Sequence, residues 1–155
     1  MGRLLVPLRR RTALVALLAS GLLQACGEDQ RVPDWAWLEP STWEGQVLAE
    51  TELARWVPRG LDHLPVPARV ILYRGGCELC GRHFDALREV PQEGALTLVR
   101  VPEPGDEDLA SDARSRAPEH EHVELLPLAK GYGVETPTVL LVDATGRITA
   151  VRNGS

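Results

Sequence analysis

The sequence is short of several things, and each shortage excludes something. The apolar stretch Thr12–Leu23 carries no charge but has only 12 residues, where a membrane-spanning helix needs about 20. Basic charge is scarce beyond residue 25: 13 Lys and Arg stand against 22 Asp and Glu, a net charge near −9. Such a surface is a poor match for nucleic acid or for anionic lipid. Cysteine is limited to Cys26, Cys77 and Cys80. Two of these are separated by only two residues, and a bridge between them closes too small a loop to brace a fold. Internal repeats and low-complexity blocks are absent.

The first 25 residues, "MGRLLVPLRRRTALVALLASGLLQA", combine a basic start (Arg3, Arg9, Arg10, Arg11) with a short apolar core. That is the pattern of an export signal. It ends in Leu23-Gln24-Ala25-Cys26, which resembles a bacterial lipobox. The resemblance implies cleavage before Cys26, acylation of that cysteine and attachment to a membrane through lipid. The expected organisation is a lipoprotein signal peptide over 1–25, a tether and Trp-rich extension over 26–44, and one domain over 45–155. The remaining length suffices for a single core. An exported domain sits where disulfides form and persist.

Three of the four tryptophans fall within "WAWLEPSTW", which could mark a partner surface but reads first as an N-terminal extension packed against the sheet. Leu53, Trp56 and Val57 have helical spacing and Pro58 ends that run. "ARVILYR" (68–74) has four consecutive apolar residues, Val70 to Tyr73, between Pro67 and Gly75-Gly76, the mark of a strand buried on both faces. Cys80, Phe84 and Leu87 then fall on one helical stripe closed by Pro91. "ALTLVRV" (95–101) predicts a second strand. Asp106 to Arg116 predicts a polar helix with acids first and bases last, stopped by Pro118. "HVELL" reads as a short strand and "PLAKGYGV" as a brief helix. "TPTVLLVDATGRITAV" (136–151) reads as a strand, a turn at Thr145-Gly146 and a returning strand. The sum is an α/β domain with a central mixed sheet flanked by helices on both faces.

Within that frame, "YRGGCELCGRHF" places Cys77 at a strand-to-helix junction. Unpaired amides at a helix start favour a thiolate, and two intervening residues let Cys80 reach back to the same sulfur. Arg74, Arg82 and His83 could add to that effect, while Glu78 should oppose it. Thr136-Pro137 opens an otherwise central strand, where a proline is out of place unless the peptide is cis beside a site. "VILYRGGCELC" followed by "YGVETPTVLLVDATGRI" resembles the thioredoxin superfamily, and the insertion "EPGDEDLASDARSRAPEHEHVELL" resembles its membrane-anchored, TlpA-like periplasmic branch. The likeness covers roughly residues 45 to 151.

The resemblance implies a thioredoxin-like fold and thiol–disulfide exchange, with Cys77 as nucleophile, Cys80 as resolving thiol, Pro137 as the cis-proline and Thr136 as the backbone contact to a substrate strand. It implies no cofactor. Its partners would be protein thiols or disulfides of the cell envelope and a membrane or periplasmic electron donor. Gly75-Gly76 stands where the family has Trp, Glu78-Leu79 lacks the usual Pro, and the strand before the motif holds no carboxylate. The family's last helix is expected to be missing, since the sequence stops at Ser155. Glu78 beside Cys77 points to a mild, reductase-like site. Two other readings compete. Cys77 and Cys80 with His120 or His122 of "PEHEH", a stretch that reads as a solvated loop, could hold copper or zinc; alternatively, the domain is a non-catalytic, lipid-anchored adaptor. His63 and His83 read as surface histidines.

Overall fold

The strand Ala68–Tyr73 (β2) sits at the centre of a five-stranded sheet. On one side it pairs in parallel with β3 (Ala95–Arg100), from Ala68 opposite Ala95 to Tyr73 opposite Arg100. On the other it runs antiparallel to β6 (Thr138–Val142), with Leu72 opposite Thr138. The edges are β4 (Glu121–Glu124), parallel to β3, and β7 (Ile148–Asn153), antiparallel to β6. A separate two-stranded sheet joins β1 (Ala36–Trp37) in parallel to β5 (Tyr132–Gly133). The computed structural model describes residues 32–89, 94–105 and 119–154. The signal-like segment, Cys26, Pro91, the side chain of Leu87 and the predicted helix from Asp106 to Arg116 with Pro118 lie outside the described residues.

The apolar run of β2 is continuous because its two faces feed two cores. Val70 and Leu72 pack with Val99, Leu140, Val142 and Ile148 in one cluster. Ile71 and Tyr73 pack with Leu96, Leu98 and Val139 in the other, against Cys80 and Phe84 of α2 (Glu78–Glu89). Tyr73 and Phe84 meet edge to face with centroids 5.2 Å apart. Among the described residues, the first core is not roofed by a long helix. Leu38, Trp43, Leu48, Leu53, Trp56, Leu61 and Leu64 cover it from an irregular segment whose regular parts are two 3-10 turns and the four-residue helix α1 (Glu52–Arg55). Loops with few repeating backbone bonds can do this because large side chains supply the buried area.

A central β2 between a parallel and an antiparallel neighbour, a helix beginning at the CxxC pair and a proline entering β6 make the arrangement thioredoxin-like. The hairpin from β6 to β7 turns at Asp143, whose carboxylate accepts the Thr145 and Arg147 amides and the Thr145 hydroxyl. These bonds, led by the Thr145 hydroxyl, hold the Asp143 carboxyl below its ordinary range.

Two local expectations change. "PLAKGYGV" is not helical: Gly131 takes φ +74°, and Tyr132–Gly133 form β5. The three residues between Pro127 and Gly131 are too few to nucleate a helix, and the backbone bonds instead with the Trp-rich strand. "PEHEH" is not wholly a loop either. Glu121 and His122 already belong to β4, opposite Thr97 and Leu98. Arg100, almost fully buried at the end of β3, pairs with Glu124 at 2.6 Å.

Candidate functional site

The approach to the CxxC pair is a glycine turn. After β2 ends, Gly76 adopts φ +69°, a region that costs an L-residue with a Cβ about 1–2 kcal/mol. That turn delivers Cys77 to the N-cap of α2. The Cys77 carbonyl accepts the Gly81 amide at 3.1 Å, and its sulfur accepts the Cys80 amide at 3.2 Å. The sulfur thus occupies the role that Ser or Asp oxygens fill at other helix starts, satisfying one of the orphan amides. An amide donor and the positive helix end both favour the thiolate when the pair is reduced.

Cys77 and Cys80 are joined as a disulfide, with Cα atoms 5.2 Å apart. Their settings differ. Cys80 is 1% exposed and belongs to the core with Phe84 and Ile71. Cys77 is partly exposed and only flanks that core. Leu79, between them, is half exposed.

The Thr136–Pro137 peptide is cis, and the Thr136 carbonyl oxygen lies 3.9 Å from Cys77 Sγ. Residues 77, 80, 136 and 137 therefore form one site at the top of β2 and β6. The loop is pinned from behind. The Gly154 amide donates to the Pro137 carbonyl at 2.7 Å. The Thr138 hydroxyl, fully buried, donates to the Glu135 carbonyl at 2.7 Å, and the Asn153 amide group donates to the Glu135 carboxylate. Gly154 is tightly constrained, because a Cβ there would collide with the Pro137 ring.

The charged neighbours of the motif act elsewhere than on Cys77. Arg74 donates to the Tyr132 carbonyl at 2.6 Å and pairs with Glu103 at 2.9 Å, tying the end of β2 to β5. Arg82 pairs with Glu78 at 2.8 Å along the exposed helix face. Partial burial, and then the charge of Arg69, lowers the His83 pKa below 6.5. The Arg82–Glu78 pair is local, four residues apart on one helix, whereas the use of Arg74 depends on partners far along the chain. Tyr132, whose hydroxyl donates to Leu126 at 2.6 Å, is pushed up to about 12 by burial.

Among the described residues, no three His, Cys, Asp or Glu side chains converge as a metal site. His120 contacts Glu119 at 3.2 Å, and His122 stands in β4. His63 is exposed. Among the described residues, the buried polar side chains are Thr51, Thr97, Arg100 and Thr138, with no carboxylate among them. A proton leaving Cys80 therefore has no buried acid of the described chain to receive it. No helix of the described residues is long and apolar enough to cross a membrane.

No protein-family model and no curated protein matches the sequence. Among solved structures, the chain is similar to a thio-disulfide isomerase from Thermus thermophilus, with 18% identity, 64% of this chain and 80% of that chain covered, and a TM-score of 0.46.

Proposed function

We propose that the protein is a thiol–disulfide oxidoreductase of the cell envelope, working as a reductase of disulfides in exported proteins. One observation carries the reading: a partly exposed sulfur caps a helix, touches the Thr136 carbonyl, and is bonded to a second sulfur buried behind it. That is the geometry of a nucleophile with an internal resolving partner.

In the reduced protein the Cys77 thiolate attacks one sulfur of a substrate disulfide. The substrate S–S bond breaks, a mixed disulfide forms on Cys77, and the departing substrate thiolate takes a proton from solvent. Cys80 then loses its proton and attacks Cys77 Sγ. The mixed disulfide breaks, the Cys77–Cys80 bond forms, and the second substrate thiolate leaves and is protonated. Two electrons pass from the cysteine pair to the substrate disulfide, and of the two protons the substrate thiols gain, one balances that lost by Cys80 and the other comes from solvent. A membrane or periplasmic dithiol donor returns the pair to its reduced form. Thr136 offers its backbone to an extended substrate strand, and its amide has no backbone partner among the described residues.

The surroundings of Cys77 support the reductase direction. The helix cap stabilises the thiolate, but the acidic Glu78 comes next and no basic side chain among Arg74 and Arg82 is free to assist. A less stabilised thiolate leaves the disulfide harder to reduce, so the reduced pair is the stronger reductant. Redox equilibration of the full-length protein against glutathione tests this. The expected potential is about −230 mV or lower, and a value near about −120 mV would place the protein among oxidants. Tethering through lipid on Cys26 belongs to the same proposal. Intact mass of the membrane-extracted protein should show a Cys26 N-terminus bearing acyl chains, and an unmodified N-terminus elsewhere would remove it.

A further inference from the structure

Two of the largest exposed apolar side chains of the described residues, Trp35 at 45% and Trp37 at 55%, stand side by side with ring centroids 5.6 Å apart. They are held there by the surrounding backbone and side chains. The Lys130 amide donates to the Asp34 carbonyl at 2.7 Å, the Ala36 amide to Gly131 at 3.3 Å and the Leu38 amide to Gly133 at 2.9 Å. The Trp37 indole donates to Glu39 at 3.0 Å. Both rings lie on the Cα of Gly133: a Cβ there would stand 2.6 Å from Trp37 Cζ3 and 2.7 Å from Trp35 Cζ2. The absence of a side chain at 133 lets two indoles rest on the backbone and keep their outer faces in water.

Short stretches of chain and one hydrogen bond link the platform to the cysteine site. Gly133 precedes Thr136 by three residues, so their Cα atoms are at most about 11 Å apart. Arg74, three residues before Cys77, holds the Tyr132 carbonyl next to Gly133. A polypeptide whose cysteine meets Cys77 and whose backbone follows Thr136 advances about 3.3 Å per residue. Over three or four residues it covers about 10–13 Å, comparable to the span of chain from Thr136 back to Gly133.

Resting on the reading of the site as a thiol–disulfide exchange centre, we propose that Trp35 and Trp37 form a substrate subsite. It takes a large apolar or aromatic side chain three or four residues from the substrate cysteine, in an extended or unfolded segment. Aromatic pairs favour such partners through stacking and edge contacts. Leu79, half exposed between the two cysteines, adds a second exposed apolar side chain next to Cys77 in sequence. The carboxylates of Glu39 and Glu135 near this surface select against acidic neighbours in the substrate.

The test uses the full-length protein in detergent micelles and two disulfide-linked peptides that differ only in having Trp or Ser at the third and fourth positions from the cysteine. The readout is the ratio of kcat/KM for the two peptides within one protein, so that partial misfolding cancels. The wild type should prefer the Trp peptide by about tenfold. The double variant Trp35→Ser/Trp37→Ser should bring the ratio to about one, and Trp37→Phe should keep most of it. A ratio near one in the wild type, or a preference that survives the double variant, overturns the subsite. So does an unchanged ratio combined with a blue shift of tryptophan emission on vesicles of phosphatidylglycerol that the double variant abolishes, which would make the platform a membrane contact. Absence of exchange with both peptides and with glutathione disulfide in the wild type would instead remove the exchange reading itself.

Discussion

The sulfur of Cys77 and the carbonyl oxygen of Thr136 lie 3.9 Å apart, although 59 positions separate the two residues in sequence. The contact places the only partly exposed sulfur of the pair where an extended chain bonded to Thr136 would present its own sulfur. Cys80, nine-tenths and more buried, cannot reach that chain without leaving the core it shares with Phe84 and Ile71.

The two sulfurs should therefore separate cleanly by substitution. Cys80→Ser should leave Cys77 able to attack but unable to release its partner, so disulfide-linked complexes accumulate and are seen on non-reducing gels. Cys77→Ser should trap nothing. In the reduced wild type, Cys77 should react with iodoacetamide at least about tenfold faster than Cys80, because alkylation needs an exposed thiolate. Equal rates at both sulfurs would sink the assignment of roles.

A second expectation separates structure from chemistry at the same residue. Cys77 Sγ accepts the Cys80 amide at 3.2 Å, so a serine oxygen there keeps the cap and an alanine loses it. In the reduced protein, Cys77→Ala should be destabilised by about 1 kcal/mol relative to Cys77→Ser, although both are inactive. Chemical denaturation with a common m-value measures the difference, and equal midpoints would show that the sulfur is no cap.

Much of this site was readable in the sequence, for local reasons. A four-residue run of mostly β-forming apolar residues between Pro67 and Gly75-Gly76 points to a strand buried on both faces, and Val70 to Tyr73 do feed two cores. The stripe Cys80 and Phe84 announces which cysteine is inside. What local pattern misses is set by distant partners. "PLAKGYGV" has helix-compatible residues, yet its backbone is claimed by Ala36–Trp37, about 95 residues earlier. The tryptophans allow either packing or an exposed surface, and local pattern does not divide them: Trp43 packs, whereas Trp35 and Trp37 are half exposed and rest on Gly133. Arg74 sits close enough to Cys77 in sequence to suggest tuning of its thiolate, whereas its guanidinium is spent on Tyr132 and Glu103.

That use of Arg74 carries its own prediction. Its bond to the Tyr132 carbonyl at 2.6 Å is charge-assisted and partly buried. Arg74→Met keeps the apolar stem and removes the donor, leaving the carbonyl unsatisfied. The expected cost is about 1–3 kcal/mol, with little of it from the half-exposed Glu103 pair. Hydrogen exchange should show the loss as faster exchange of the amides that join β1 to β5, notably Ala36 and Leu38. Unchanged protection there would mean that Arg74 does not tie these segments together.

His83 gives the protein a pH dependence whose sign is fixed by its surroundings. It lines a cavity of about 230 Å³ with Arg69, Arg152, Val139, Leu141, Asn153 and Gly154, and its buried Nε2 has no hydrogen-bond partner. Burial, and then the charge of Arg69, lowers its pKa in the folded state below the 6.5 of an exposed histidine. Between the folded value and 6.5 the unfolded chain binds more protons, so folding stability rises with pH across that window. The contribution is complete above pH 6.5 and is lost as the pH falls from there to the folded value. Wild-type Tm should therefore drop between pH 7.5 and 5.5 by more than that of His83→Gln, which stays neutral throughout. The difference should persist at 0.5 M salt in weakened form, since burial, which salt does not screen, is the larger cause and the Arg69 charge the smaller. Parallel Tm profiles for the two proteins would show that His83 titrates freely and that the cavity admits its charged form.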